Sequence, residues 1–182
     1  MEQIGVLLNE ELLKQECKQQ ATSLPQSKKP LRELAISFSP KNLALAHKNE
    51  DVCYVGNYPT LQTLDRVYGE GAASFLLVPY ITDLAVFAGV SPSTEDVKNL
   101  CEMIACEYWF LKITEVMLFF WNFKAGMFEK FYGKFSSMDV MVSLRRFVEE
   151  RRYKVLRIEA RLKQREREAE EARYLESKKQ DN

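Results

Sequence analysis

Histidine is almost missing: His47 is the only one in 182 residues. That removes most histidine-based nucleophile triads and every multi-histidine metal site. Four cysteines (Cys17, Cys53, Cys101 and Cys106) are scattered with no Cys-x-x-Cys pair, so neither a zinc knuckle nor a dithiol redox motif is written here. Uninterrupted apolar runs are also lacking. Phe75 to Val90 contains Pro79 and Asp83, and Met103 to Phe123 carries Glu107, Lys112 and Glu115; neither reads as a bilayer span. The start, Met1-Glu2-Gln3-Ile4-Gly5, has an acid where a signal peptide carries basic residues. The expectation is a reduced, cytoplasmic protein that does not enter a membrane.

Phosphate-binding and nucleophile motifs are absent too. Gly69-Glu70-Gly71 is too short for a phosphate loop, and no Gly-x-Ser-x-Gly occurs. Asp83, Glu107 and Glu115 lie in helical stretches and are the only carboxylates that invite a catalytic test, which they would pass only by converging in one pocket. A structural acid is the plainer reading of each. Cys101 and Cys106, five apart, read as small core residues, and His47, beside Lys48, Asn49, Glu50 and Asp51, reads as a surface loop. No cofactor is implied, and no enzyme.

What is present is a core-forming composition, 46% hydrophobic and 29% charged, punctuated for helices. All seven glycines and all six prolines precede Lys134. Ile4, Leu7, Leu8, Leu12 and Cys17 fall near helical spacing, giving an amphipathic helix that a Pro/Ser/Lys linker follows to Pro30. Leu31 to Tyr54 predicts one or two short helical turns broken at Pro40. Pro59 and Thr60 open a helix that Gly69 closes with a left-handed residue. Ala72 to Ala88 predicts a buried helix, kinked or split at Pro79 and closed at Gly89. Ser93 with Asp96 forms a capping pattern for a helix to about Trp109, with Val97, Leu100, Cys101, Ile104 and Tyr108 on one face. Ile113 to Lys124 is a further helix, ended at Gly126. A helix-turn-helix outline spans Leu61 to Val78, but its second helix offers base edges little beyond Ser74. Ser136 and Asp139 cap a last helix running without glycine or proline to about Glu176, roughly forty residues or 60 Å at 1.5 Å per residue. The expected architecture is all-α: an N-terminal segment (1–30), a helical core (31–135) and a long, partly projecting basic C-terminal helix (136–182).

The formal net charge of zero hides an asymmetry. Up to Val140 there are 13 basic and 17 acidic residues; from Met141 on there are 13 basic and 9 acidic. Lys154, Arg157, Arg161 and Arg165 recur at three, four and four, on one stripe of the long helix. This is either a solvated face laced with pairs such as Glu150/Lys154 and Glu159/Lys163, or a surface for phosphates or acidic protein. Heptad positions Met141, Val148, Val155, Leu162 and Ala169 face a second seam of Leu144, Arg151, Ile158, Arg165 and Ala172. Two arginines make that a poor coiled coil, so docking on the body is expected only through Phe147 and Val148, with weak self-association beyond. Residues Tyr108 to Phe135 hold 11 of the chain's 21 aromatics. They form either a central helix contacted on several sides or an exposed partner surface. Within that block, Lys124, Lys130 and Lys134 alternate with Phe128, Phe131 and Tyr132 around Gly126 and Gly133. The segment reads either as a loop gripping single-stranded nucleic acid or as a turn folded onto the core.

Several of these stretches together, Tyr58-Pro-Thr-Leu through Gly69, Leu111-Lys-Ile-Thr-Glu-Val-Met-Leu-Phe-Phe, Phe123-Lys-Ala-Gly126, Phe131-Tyr-Gly133, the acid Asp139 and Phe147 to Arg151, resemble a family of small uncharacterised helical proteins of bacterial mobile elements and prophages. The likeness covers roughly residues 58–152; where the family pattern has Gly-x-Tyr-Gly, this chain has Gly126-Met127-Phe128-Glu129. It implies accessory work in maintaining an element, without a chemistry. The functional expectation is a non-catalytic accessory protein that binds nucleic acid, or a replication-type protein partner through an acidic surface, by its basic helix and aromatic-basic loop. The candidate contacts are Lys124, Lys130, Phe131, Tyr132, Lys134, Lys154, Arg157, Arg161 and Arg165. The alternative is a structural adaptor working through the long helix.

Overall fold

Pro30 fixes the backbone for the first helix, and from there the computed structural model describes residues 30–128, 131 and 133–180. The expected N-terminal helix and most of the linker lie outside the described residues. Short helices come first: α1 (Leu31–Ser37), a 3₁₀ turn (Pro40–Asn42), α2 (Leu43–Lys48) and α3 (Glu50–Val55). They exceed the one or two turns expected, because Pro40 starts the 3₁₀ turn instead of merely breaking a helix. His47 belongs to α2 and its ring stacks on Trp121 at 4.9 Å; it is on the surface as expected but in a helix and not a loop.

Then follow α4 (Leu61–Tyr68), α5 (Ala72–Ala88), α6 (Thr94–Glu107), α7 (Ile113–Lys124) and α8 (Ser137–Gln180). The fold is all-α. Local chemistry sets these boundaries. The Thr60 hydroxyl caps α4. Ser93 and Asp96 form a reciprocal capping box on α6, whose hydrogen bonds hold the Asp96 carboxyl below its usual range. The Ser136 hydroxyl accepts the Asp139 N–H at α8. Gly89 closes α5 in the left-handed region (φ 67°, ψ 29°), whereas Gly69 ends α4 with φ 102° and ψ 159°, extended and glycine-specific but not left-handed helical. Removing the Ser93 hydroxyl (Ser93→Ala) should lower stability by about 1 kcal/mol in urea denaturation, a typical capping loss.

α7 is the centre. Every residue from Ile113 to Phe120, with Asn122 and Phe123, is buried, and only Trp121 and Lys124 reach outward. The central-helix reading of the aromatic block is what the chain adopts. Adjacent Phe119 and Phe120 can both be buried because α2, α3, α5 and α8 all pack on α7. A short antiparallel pairing of residues 59–62 with 109–113 (Leu61 N–H to Leu111 O, 2.9 Å; Ile113 N–H to Pro59 O, 3.0 Å) fixes its start.

Two expectations about burial are corrected. α5 passes through Pro79 as one helix, neither split there nor wholly buried: Phe75, Val86 and Phe87 are 60%, 75% and 61% exposed. Pro79 lies on that open side, where water can meet the carbonyl it leaves unbonded. Cys101 is buried but Cys106 is exposed, since positions five apart sit on different helix faces. Burial, with the Glu102 charge second, pushes the Cys101 thiol up to about 12, and burial with Glu115 and Glu50 does the same for Cys53.

The larger correction concerns α8. Val140, Leu144, Phe147 and Ile158 are buried, and Met141, Val148, Val155 and Leu162 pack partly buried against the same core. Docking therefore continues to Leu162 and does not stop at Val148. The heptad seam that made a poor coiled coil is a contact with the chain's own body.

Candidate functional site

Lys112 and Glu115 at the start of α7 organise the place where α8 crosses α3. The Lys112 ammonium donates to the carbonyls of Tyr54 (2.7 Å) and Gly56 (2.8 Å), satisfying the open end of α3. Its pKa is lowered, chiefly by burial. The Thr114 hydroxyl adds a bond to the Cys53 carbonyl. Glu115 is fully buried; Oε2 accepts the Lys112 N–H at 2.9 Å and Oε1 accepts Arg151 Nε at 2.7 Å. Arg151 is thereby a docking residue, and the interruption it seemed to make in the seam vanishes.

With α3 fixed from behind, its first two residues face α8. Glu50 Oε1 meets Lys154 Nζ at 2.5 Å, and Asp51 pairs with Arg161. The Lys154 ammonium also lies 5.8 Å from the Tyr54 ring centre. These ion pairs replace the expected Glu150/Lys154 pairing within the helix. Arg157, between the two engaged cations, is exposed and makes no ion pair among the described residues; the same holds for Arg146 and Arg152. Arg165 lies exposed one turn further on, and every residue from Lys163 to Tyr174 is exposed.

In the aromatic-basic segment, the described residues Lys124 and Phe131 are turned to the body. Lys124 is not a loop residue: it ends α7, pairs with Asp83 at 2.8 Å and stands 4.9 Å from the Phe87 ring centre. Phe131 is half-buried between Phe123 (5.4 Å) and Phe135 (5.3 Å), turned back onto the core. Lys134 is exposed, while Lys130 and Tyr132 lie outside the described residues. Asp83 is held by Lys124, Glu115 by Arg151, and Glu107 is exposed at the end of α6. The three carboxylates thus do not converge as carboxylate chemistry requires.

Glu50 and Asp51 were missed in the sequence, where they stood in an apparent loop. Two consecutive acids suit the first turn of a helix, and that was the available signal. Their partners lie 104 and 110 residues away, beyond any local pattern. No helix among the described residues is long and apolar enough to cross a membrane. No group of histidine, cysteine or acidic residues among them is placed to hold a metal ion.

Leu111 to Phe120 and Phe147 to Arg151 are the two strips that meet at the Glu115–Arg151 junction. No curated protein and no solved structure matches the chain. Residues 92–179 match the model of a family of unknown function (DUF6633), so the similarity runs from the start of α6 through the docked and exposed lengths of α8.

Proposed function

We propose that this protein is a non-catalytic adaptor that holds α8 on its body as an anchored arm and docks a protein partner along it. One observation carries the reading: α8 is fastened by an apolar seam and three ion pairs as far as Leu162, then continues with every described side chain from Lys163 to Tyr174 exposed. At 1.5 Å per residue the 18 residues past Leu162 extend about 27 Å. That is long for a helix end with no role in the fold. Before the arm leaves the body its open face also carries Tyr153 (76% exposed) and Leu156 (58%), three residues apart and so neighbours on the helix surface, an apolar pair of the kind partner helices use.

A second reading, nucleic acid as the partner, draws on Arg146, Arg152 and Arg157, which are exposed and make no ion pair among the described residues. It requires affinity to fall steeply with added salt. The ion pairs of Lys124, Lys154 and Arg161 leave it fewer open cations than the sequence offered. Accessory work for a bacterial mobile element or prophage, in a reducing cytoplasm, belongs to the same proposal as its setting.

Site-specific photo-crosslinking in producing cells tests the adaptor reading. A photoreactive side chain at Leu156 or Arg167 should give one discrete protein adduct, and one at Lys98, on α6, should not. An adduct of twice the chain's mass identifies a second copy as the partner. Absence of adducts from α8, or equal adducts from Lys98, removes the arm as the contact.

A further inference from the structure

The stripe on α8 is already bound to something, and what it binds indicates its ligand chemistry. We propose that Lys154, Arg157 and Arg161 form a carboxylate-binding stripe for an acidic segment of the protein partner, and that Glu50 and Asp51 hold its place in the free protein. The inference rests on the adaptor reading and gives the partner's chemistry.

Three features make the stripe a site and not only a clasp. Its cations are arranged in advance: Ile158, four residues after Lys154 and three before Arg161, is buried beside them, and Val155 and Leu162 pack partly buried on the same apolar edge, so the helix does not shift when the ion pairs exchange. Its internal ligands are accessible. Side-chain exposure is 36% and 37% for Lys154 and Glu50, and 44% and 52% for Arg161 and Asp51. Ion pairs that exposed contribute little, so replacing one carboxylate by another is nearly neutral. Finally, Arg157 stands open between the engaged pair as a first foothold, with the outer cations about 10 Å apart along the axis.

Helix α3 does not need to move in the exchange. Lys112 and Thr114 hold its far end through the Cys53, Tyr54 and Gly56 carbonyls, so only the Glu50 and Asp51 side chains turn away. Those two carboxylates stay close and repel an incoming acid, which limits binding in the free protein. A phosphate backbone fits less well. Its affinity comes from releasing counterions at many phosphates together, and this stripe has three cations beside two resident carboxylates. A short peptide needs only two or three carboxylates in register.

The experiment uses the full chain and a fluorescein-labelled oligoglutamate peptide of about ten residues, followed by anisotropy at low salt. Glu50→Gln/Asp51→Asn should bind the peptide about fivefold more tightly than the unaltered chain, since two competing ion pairs and the repulsion from their carboxylates are gone. Arg157→Ala should weaken binding at least fivefold in both backgrounds. If the double variant binds no more tightly, or Arg157→Ala changes nothing, the stripe is only a clasp. A labelled oligothymidylate of equal charge binding more tightly than the peptide in both backgrounds would make the site one for nucleic acid and overturn the acidic-peptide assignment. Circular dichroism confirms that each variant is folded, and Glu50→Gln alone serves if the double variant is not. Adducts from α8 without peptide binding would sink this proposal and leave the adaptor reading standing.

Discussion

Arg151→Ala should destabilise the protein by about 3–5 kcal/mol, the cost of leaving a buried charge without its partner. Glu115 has no exposed surface and its Oε1 has Arg151 as its ion-pair partner. Once the guanidinium is gone, the carboxylate keeps its burial but loses the charge that offsets it. Lys154→Ala and Arg161→Ala remove ion pairs from the same helix, yet each should cost no more than about 1 kcal/mol, because solvent screens both of their pairs. Urea denaturation of the three single variants checks the contrast. A control separates charge from shape. Glu115→Gln keeps an acceptor for the Lys112 N–H, and Arg151→Met keeps the apolar stem. The combination should recover much of the loss, since a buried ion pair replaced on both sides is often close to neutral. Equal effects from Arg151→Ala and Arg161→Ala would mean that the buried junction is not what fastens α8.

Phe119→Ala should cost about 3–5 kcal/mol, the range for truncating a buried aromatic ring. Phe119 is fully buried and lies within 6 Å of four other rings: Phe120 (5.1 Å), Phe123 (5.9 Å), Phe128 (5.6 Å) and Phe147 (5.8 Å). Phe147 belongs to α8, so the cavity opens where the long helix meets α7. Trp121, just over half a turn from Phe119 on the same helix, provides the comparison. It is half-exposed and its ring partner is His47. Its replacement by alanine should cost about 1 kcal/mol, in the range of a single aromatic pair. The midpoint of unfolding should move while its denaturant dependence stays the same; comparable losses at the two positions would contradict the central placement of α7.

Most helix ends were readable because they are local. Thr60, Ser93 and Ser136 cap what they appear to cap, Gly89 and Gly126 follow the helices they close, and Ile113–Lys124 has the limits its sequence implies. Hydrogen bonds between residues three or four apart leave a trace in spacing. Burial was less legible. α5 is nearly all apolar, so its composition does not say which side is covered, and its neighbours α4, α6 and α7 leave Phe75, Val86 and Phe87 open. At the candidate site the cations could be found but not their state, since Glu50, Asp51, Asp83 and Glu115 are each brought to them from a distant part of the chain.

By itself the sequence determined that this chain is helical, where most of its helices begin and end, and that its last helix is too long to be covered by its own body. Those properties follow from backbone conformation, capping and the absence of glycine and proline after Gly133, all of which act within a few residues. Only the tertiary structure decided how far α8 is fastened and which of its charges remain open. An arginine in a seam looks like a break until a buried carboxylate meets it, and the stripe appears free until two acids from α3 lie against it. Electrostatic pairing depends on distance in space, and residues 36, 104 and 110 positions apart become neighbours only once the core has formed.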